Sequence, residues 1–334
     1  MIMKFTNFVG VDVSKLTIDA HLQGSNAFKT FANNTKGFTA LLLWTKKLLP
    51  SVDQSAIIVC FEHTGMYSIG LAIYLQEADI PFAMISPLEI NKSLGMHRGK
   101  SDFIDAKRIA NYAWLHRDDI KPSVLPAKSI LKLQSLLTLR DRLVRDKGGF
   151  EATCKEQPLL LGIADNAEMF EIYKSMIGHL TTQIKSLDAQ ILSIIDCDVY
   201  LKKTYDLLTS MKGIGPIIAA NMITSTHNFS RFTNWRKFAC YIGTAPFEHT
   251  SGTSIRGKTQ VSHLANKQLK KLLHLAAISA IIHNKELRAY YLRRVSEGKS
   301  KMSTINVLRN KILARMFALI NRQSGYVELA KYAA

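Results

Sequence analysis

Residues 8–15 read FVGVDVSK, an apolar run with valine at every second position that ends near Asp12. Short runs rich in β-branched and aromatic residues are typical of buried strands. A second run, IIVCFE at residues 57–62, has the same character and ends in Glu62. The sequence therefore predicts an α/β unit in which two carboxylates lie at or near the ends of buried strands.

The patterns around these two runs predict the order of the elements in this unit. Three strands (residues 5–13, 17–22 and 28–33) come first, followed by a helix, a strand, a helix and a strand (35–48, 56–61, 67–77 and 81–85) and further helices to about residue 116. A three-strand meander followed by βαβα is the element order of a ribonuclease-H-like fold. Pro122 to Pro126 marks the boundary, so we predict a first domain over residues 1–125.

Two more carboxylates, Asp102 and Asp105, begin a helical pattern in SDFIDA at residues 101–106. Three residues apart on a helix, they share a face. With Asp12 and Glu62 they form a set suited to Mg²⁺ or Mn²⁺, and two such ions can clamp the attacking and leaving oxygens of a phosphodiester. The alternative is that Asp102 caps the helix, Asp105 is a solvated first-turn acid and the strand-end acids bind nothing.

Charge and composition indicate the class of partner. The chain has 334 residues and a net charge of +18, and residues 196–334 hold 22 Lys and Arg against 7 Asp and Glu. Such a concentration of positive charge beside an acidic centre favours a nucleic-acid substrate. Four widely spaced cysteines predict buried free thiols rather than a zinc site or disulfides. We find no apolar run of membrane-spanning length and no signal peptide, and therefore expect an intracellular protein without a membrane partner.

The middle of the chain, residues 126–198, is predicted to be a helical coiled-coil arm. One helix covers residues 127–147 and ends at a Gly148-Gly149 break, and a second places apolar residues at alternating three- and four-residue steps from Phe170 to Ile194. This heptad pattern fits an antiparallel hairpin within one chain as well as a coiled coil between chains. We favour an arm that supports oligomerisation; a helix buried only in its own core is the alternative.

Residues 199–334 are predicted to form a mainly helical third domain. The segment MKGIGP at residues 211–216 resembles a helix-hairpin-helix turn, in which Lys212 and the backbone at Gly213 and Gly215 bind a DNA phosphate. Its alternative is an ordinary glycine-containing turn between two helices. Helices at 267–283 and 303–320 have apolar faces and basic backs, including Arg309, that are suited to contacting phosphates outward.

A loop rich in serine, threonine and glycine is predicted at residues 241–258. A serine there could attack phosphorus if Arg256 or Lys258 stabilised the developing charge and a base accepted the proton. Taken alone, such a loop is more often only a connection. The composition therefore offers a nucleophile without assigning one.

Five motifs in order, VGVDVSK, FEHTG, KSDFIDA, MKGIGP, and GTAP followed by TSGTSIRG, resemble the IS110/IS1111 family of insertion-sequence transposases, which includes the Piv-type DNA invertases. The resemblance extends along nearly the whole chain. It implies a RuvC-like first domain that binds Mg²⁺ through the set Asp12, Glu62, Asp102 and Asp105. It also implies a C-terminal transposase domain whose nucleophile, Ser251, forms a covalent phosphoserine link to DNA.

The resemblance further implies partners. These are double-stranded donor and target DNA, a structured non-coding guide RNA that pairs with both, and further copies of the chain, as dimers that form a tetramer on DNA and share metal and serine sites between subunits. It implies a bacterial cytoplasmic, nucleoid-associated protein. Thr250 stands where the family commonly has an acid, which leaves the proton acceptor for Ser251 open, and Ser254 is a fallback nucleophile.

Other interpretations of the same residues remain. In a RuvC-like metal-dependent nuclease, such as a junction resolvase, water would attack the DNA and Ser251 would be structural. A non-enzymatic nucleic-acid-binding protein would keep the fold without the chemistry. An actin-like ATPase or sugar kinase is suggested by GVDVS at residues 10–14, but no later glycine-rich nucleotide motif accompanies it.

Overall fold

The structure, a computed structural model, describes residues 5–63, 65–93, 102–161, 166–251 and 255–327. The chain divides into two compact units, Met1–Leu125 and Pro126–Ala334, here called the N-terminal and C-terminal units. Among the described helices, none is both long and apolar enough to cross a membrane.

The N-terminal unit is a mixed five-stranded sheet with helices on both faces. The strand order is β3-β2-β1-β4-β5, with β1 antiparallel to β2 and β2 to β3, and with β1 parallel to β4 and β4 to β5. The strands are β1 (Asn7–Val13), β2 (Thr17–Leu22), β3 (Phe28–Ala32), β4 (Ile57–Glu62) and β5 (Phe82–Ile85). The helices are α1 (Thr35–Leu48), α2 (Met66–Glu77), α3 (Pro87–Ser93) and α4 (Asp102–Leu115). The predicted α/β class of this part of the chain is confirmed.

Side chains alternate between the two faces of β1 and build two separate cores. Val9 and Val11 belong to the core beneath α1 and α2, whereas Phe8 belongs to the core beneath α3 and α4. Gly10 lies on the α4 face, where an added Cβ would be 2.3 Å from the carbonyl oxygen of Ala106 and the amide nitrogen of Ala110. Because only glycine leaves room for this approach, the sequence of β1 fixes how closely α4 lies on the sheet.

The C-terminal unit is mainly helical, as predicted. Its elements are α5 (Lys128–Leu161), α6 (Ala167–Asp196), α7 (Val199–Thr209), α8 (Pro216–Thr226), α9 (Trp235–Ile242), β6 (Pro246–Ser251), β7 (Ile255–Val261), α10 (Lys267–His283), α11 (Lys285–Ser296) and α12 (Lys301–Arg322). One buried cluster joins the start of α5, the end of α6 and residues from each of α7 to α12. Asparagine side chains cap several of these helices. Asn234 and Asn266 accept hydrogen bonds from backbone amides in the first turns of α9 and α10, which would otherwise lack a partner.

The predicted helix break at Gly148 and Gly149 is wrong, because α5 continues through both residues to Leu161. A helical glycine costs about 1 kcal/mol relative to alanine. Contacts with α6 offset that cost: Arg140 forms an ion pair with Asp188, and the rings of Phe150 and Tyr173 lie 6.0 Å apart. Tertiary packing therefore overrides the local preference of the two glycines.

The heptad positions of α6 from Phe170 to Ile194 are all buried or half-buried. Their partner within the chain is α5, which runs antiparallel to α6: Arg140 contacts Asp188, and Phe150, further along α5, contacts the earlier Tyr173. A hairpin in one chain thus satisfies the pattern, and the coiled coil between chains stays a prediction. Ile172 and Met176, one turn apart on α6, are outside this seam and exposed.

Three further expectations differ from the structure. The segment predicted as a loop at residues 241–258 contains the end of α9 and most of the β6–β7 hairpin, because cross-strand pairing gives these polar residues an extended form. All four cysteines are predicted to be buried. Cys60 is buried, whereas Cys197 and Cys240 are exposed near the ends of helices. Arg309, predicted to face outward, is buried on α12.

Candidate active site

The carboxyl ends of β1 and β4 bring Asp12 and Glu62 together. Val11 pairs with Phe61 in the parallel register, so the next residue on each strand is an acid. Both acids lie on the face that carries α4, since they follow Phe8 and Ile58 by even steps along their strands. Asp12 and Glu62 are half-buried.

The first turn of α4 adds Asp102 and Asp105 on this face. Burial, together with the negative charges of Asp105 and Asp102, raises the pKa of Asp12 above its ordinary value. Asp102 and Asp105 are therefore close enough to Asp12 to disfavour its ionised form. Asp105 is also held by Arg108, whose guanidinium nitrogen lies 2.9 Å from its carboxylate on the same helix.

A fifth carboxylate, Asp19, was not found by sequence reasoning. It pairs directly with Asp12 across β1 and β2, is only 4% exposed, and its charge also contributes to the raised pKa of Asp12. The hydroxyl of Thr30 on β3 donates a hydrogen bond to Asp19. A signal was present: Thr17, Asp19 and His21 put polar groups at every second position of an otherwise apolar strand.

His21 is the last of these three polar residues along β2. It pairs with Gly10, is 1% exposed, and its ring makes an edge contact with Phe103 of α4 at 5.6 Å. Burial lowers the pKa of His21, so the ring is neutral at pH 7. Neither ring nitrogen has a hydrogen-bond partner among the described residues. The ring contact with Phe103 packs His21 against α4.

We call Asp12, Asp19, Glu62, Asp102 and Asp105 the acid edge. Its donors are all carboxylate oxygens, which hard divalent cations prefer. The mutual repulsion at Asp12 is the condition that a bound cation would relieve. Within the described residues, no three acidic, histidine or cysteine side chains are arranged as a metal site. The donor type and charge fit Mg²⁺, and a closed cage is not formed there.

The predicted nucleophile belongs to the other unit of the chain. Ser251 is the last residue of β6 and pairs in register with Ile255, the first residue of β7, which puts it at the tip of the hairpin. Arg256 pairs with Thr250, and Lys258 follows two residues later on β7. Residues 252–254, which include the fallback nucleophile Ser254, lie outside the described residues. An open cavity of about 690 Å³ lies beside the hairpin, lined among others by Phe247, Glu248, Gln260 and Leu264.

The turn between α7 and α8 contains the residues predicted to contact DNA phosphates. Gly213 has φ +96°, and an added Cβ would lie 3.0 Å from the carbonyl oxygen of Ala276 on α10, so packing and backbone conformation both require glycine. Gly215 is the N-cap of α8 with open space around it, and Lys212 is exposed. The shape suits a phosphate at the start of α8, and that contact stays a prediction.

Comparison with known proteins gives two family matches and several relatives. Residues 9–157 match a transposase family of the DEDD type associated with IS110, and residues 205–292 match the transposase family IS116/IS110/IS902. The pilin gene-inverting protein of Moraxella bovis is 26% identical over 325 residues, covering 96% of this chain and 97% of the relative. The IS1111A transposase of Coxiella burnetii is 24% identical over 277 residues, covering 74% and 73%. A 43.6 kDa protein of insertion element IS110 from Streptomyces coelicolor is 28% identical over 158 residues, covering 46% and 38%.

Proposed function

Because the chain belongs to the IS110 family of transposases and is a DNA transposase or recombinase, we propose that it exchanges DNA strands through a covalent link to Ser251. The proposal includes Mg²⁺ or Mn²⁺ bound by Asp12, Glu62, Asp102 and Asp105. The observation that carries the metal site is the meeting of Asp12 and Glu62 beneath the first turn of α4. The role of Ser251 is supported by its place within residues 205–292, which match a transposase family.

The topology of the sheet supports a RuvC-like, ribonuclease-H-like domain. The order β3-β2-β1-β4-β5, with β2 antiparallel and β1, β4 and β5 parallel, follows the meander and βαβα order expected for that fold. Ligands of α/β sheets commonly bind outside the carboxyl ends of the parallel strands. Asp12 and Glu62 lie at that edge.

The acid edge would hold its cation from two sides. Asp12 and Glu62 are positioned by hydrogen-bonded strands. Asp102 and Asp105 are positioned by α4, which lies close to β1 because Gly10 has no side chain. When bound, the metal would supply charge stabilisation at the reacting phosphate. Asp19, buried beside Asp12, would keep the Asp12 carboxylate directed away from the sheet by charge repulsion.

In the proposed reaction the Ser251 hydroxyl oxygen attacks a DNA phosphorus and gives its proton to a base. A phosphorus–oxygen bond to serine forms and the bond to one sugar oxygen breaks; that oxygen takes up a proton from a general acid or from water and leaves as a hydroxyl. A hydroxyl from another DNA end then attacks the phosphoserine and releases the serine. Each cleavage conserves one phosphodiester bond, so rejoining needs no external energy source. The neighbouring Thr250 carries no carboxylate, so the base comes from elsewhere.

We propose that a structured non-coding guide RNA pairs with donor and target DNA and selects the sites. In support, the C-terminal part carries most of the positive charge, and a helix-hairpin-helix contact at Lys212, Gly213 and Gly215 would bind phosphates without reading sequence. Base pairing would then supply the specificity, as it does in other RNA-guided systems.

We also propose dimers that form a tetramer on DNA. The exposed apolar residues Ile172 and Met176 on α6 support a contact between arms of different chains. The acid edge and Ser251 lie in different units of the chain. We propose that one subunit's acids complete another's serine site.

The test is a denaturing gel of the protein, co-expressed with the DNA that flanks its gene and incubated with labelled donor and target duplexes and Mg²⁺. We expect a protein–DNA band that survives denaturation, is absent in Ser251→Ala, and is weakened in Asp12→Ala. Ser254→Ala serves as the matched control.

Other results would change the assignment. Cut DNA with no attached protein would favour the RuvC-like nuclease, with water as nucleophile. An adduct that persists in Ser251→Ala and disappears in Ser254→Ala would move the nucleophile to Ser254.

A further inference from the structure

Arg309 on α12 is a buried cation without an acidic partner among the described residues. The side chain is 7% exposed, and its guanidinium makes two polar contacts, at 2.8 Å to Nδ1 of His274 and at 3.4 Å to Oδ1 of Asn306. Its Nε has no hydrogen-bond partner within the described ranges. Buried charges in proteins are normally paired, because removing an ion from water is costly.

Two further basic groups face Arg309 from α10. Lys270 and His274 are one turn apart on that helix, and burial together with the charge of Arg309 lowers the pKa of both. The lowered pKa of Arg309 itself has burial as its cause. We call Lys270, His274 and Arg309 the basic cluster. It concentrates positive charge where an anion would be strongly favoured.

The basic cluster is tied to the start of the hairpin that bears Ser251. The buried Thr244 accepts hydrogen bonds on its carbonyl from the amides of Asn306 and Asn310, at 2.9 and 3.0 Å. Its hydroxyl donates to Oδ1 of Asn310 at 3.0 Å. Thr244 lies two residues before Pro246, the first residue of β6, so the helix that carries Arg309 also fixes the base of the hairpin.

We propose that the basic cluster binds a phosphodiester group of the DNA backbone at the base of the β6–β7 hairpin. The guanidinium fork matches the geometry of two phosphate oxygens, and Lys270 adds a flexible point charge. Arg309 donates to Nδ1 of His274, which leaves the proton of a neutral His274 on Nε2, free to donate to an anion. The inference rests on the proposed function only in taking DNA as the ligand, and it does not depend on Ser251 chemistry.

The test compares Arg309→Met with Arg288→Met. Methionine removes the charge at similar length, and Arg288 offers the same charge loss at an exposed position on α11. Affinity for a fluorescent DNA duplex is measured by anisotropy over a range of salt concentrations, and thermal unfolding of each protein is followed in parallel. Lys270→Met is a second variant on the other helix.

We expect Arg309→Met to lose about tenfold or more in DNA affinity, with the slope of log Kd against log salt smaller by about one. Its melting temperature should equal or exceed that of the wild type, because an unpaired buried charge has been removed. Lys270→Met should weaken binding in the same direction, and Arg288→Met should change affinity much less.

Three results would overturn the proposal. A lower melting temperature with unchanged DNA affinity would make Arg309 a structural residue. An equal loss in Arg288→Met would assign the effect to general surface charge, and a loss confined to a structured RNA probe would make RNA the ligand. A missing adduct in the gel described above would refute the serine mechanism and leave this binding result standing.

Discussion

Replacing Gly10 with alanine tests whether the approach of α4 to β1 assembles the acid edge. The added Cβ would lie 2.3 Å from backbone atoms of Ala106 and Ala110, and real Cβ contacts stay above 3.0 Å. Because both obstructing atoms belong to the backbone of α4, no side-chain rotation can relieve the clash. The helix must retreat from the strand by at least about 0.7 Å.

This retreat has two measurable costs. Overpacking of a close-packed contact destabilises a protein by about 1–3 kcal/mol. Asp102 and Asp105 move with α4, whereas Asp12 and Glu62 stay on their strands, so the acids separate by a similar distance. Catalytic groups must be held within about 0.5 Å, and a misplacement of about 1 Å can cost about 100-fold in rate. We therefore expect Gly10→Ala to lose about 100-fold in strand exchange.

The assay is the rate of adduct formation or strand exchange with labelled duplexes, together with denaturant unfolding of the same preparation. Gly70→Ala in α2 is the matched control. There the nearest atom to an added Cβ is 3.8 Å away, on the ring of Phe38, and alanine favours a helix by about 1 kcal/mol over glycine. The control should be slightly more stable and fully active.

Wild-type activity in Gly10→Ala would refute this reasoning, whether or not the protein is destabilised. It would mean that the distance between α4 and β1 does not govern the chemistry, and that Asp102 and Asp105 do not act with Asp12. Loss of activity with unchanged stability would refute the packing argument alone.

Other predictions concern charge, backbone and thiols. Asp12→Asn should raise the unfolding temperature without metal, since it relieves repulsion among the carboxylates, and should reduce the stabilisation by Mg²⁺; thermal scans with and without Mg²⁺ measure both. Gly213→Ala should lower the unfolding midpoint because its φ is +96°, whereas Gly215→Ala, at φ −86°, should lower it less in the same denaturant titration, since only the modest cost of alanine at an N-cap applies. A thiol reagent should modify the exposed Cys197 in the native protein and the buried Cys60, whose pKa burial raises, only after unfolding.

The parts of the fold that could be predicted are those that depend on local pattern. Apolar runs gave the strands that end near Asp12 and Glu62, and helical periodicity gave the start of α4. The parallel pairing of the two strands then brings the acids together without further information. The even spacing of polar residues on β2 was visible too, but Asp19 joins the site only through its register with β1.

The wrong predictions concern residues whose structure depends on contacts with distant parts of the chain. Gly148 and Gly149 stay helical because α6 packs on α5, and no window of local sequence contains both partners. Arg309 was predicted to be outward from a helical pattern that treats every cation as solvated. It is buried because α10 covers its side of α12, and a pattern in one helix cannot report the neighbour that covers it.

Sequence patterns predict least well the residues whose like charges are packed together. In the N-terminal unit the acid edge crowds carboxylates around Asp12, and in the C-terminal unit Arg309 is buried beside Lys270 and His274. Like charges close together disfavour the folded chain, and in each place a bound ion of the opposite charge would relieve that repulsion. A protein that binds a metal and a DNA phosphate in these two places would gain stability from both at once. Local violations of folding rules commonly mark functional sites, and the sign of each violation agrees with the ligand proposed for it: a cation at the sheet edge and an anion between α10 and α12.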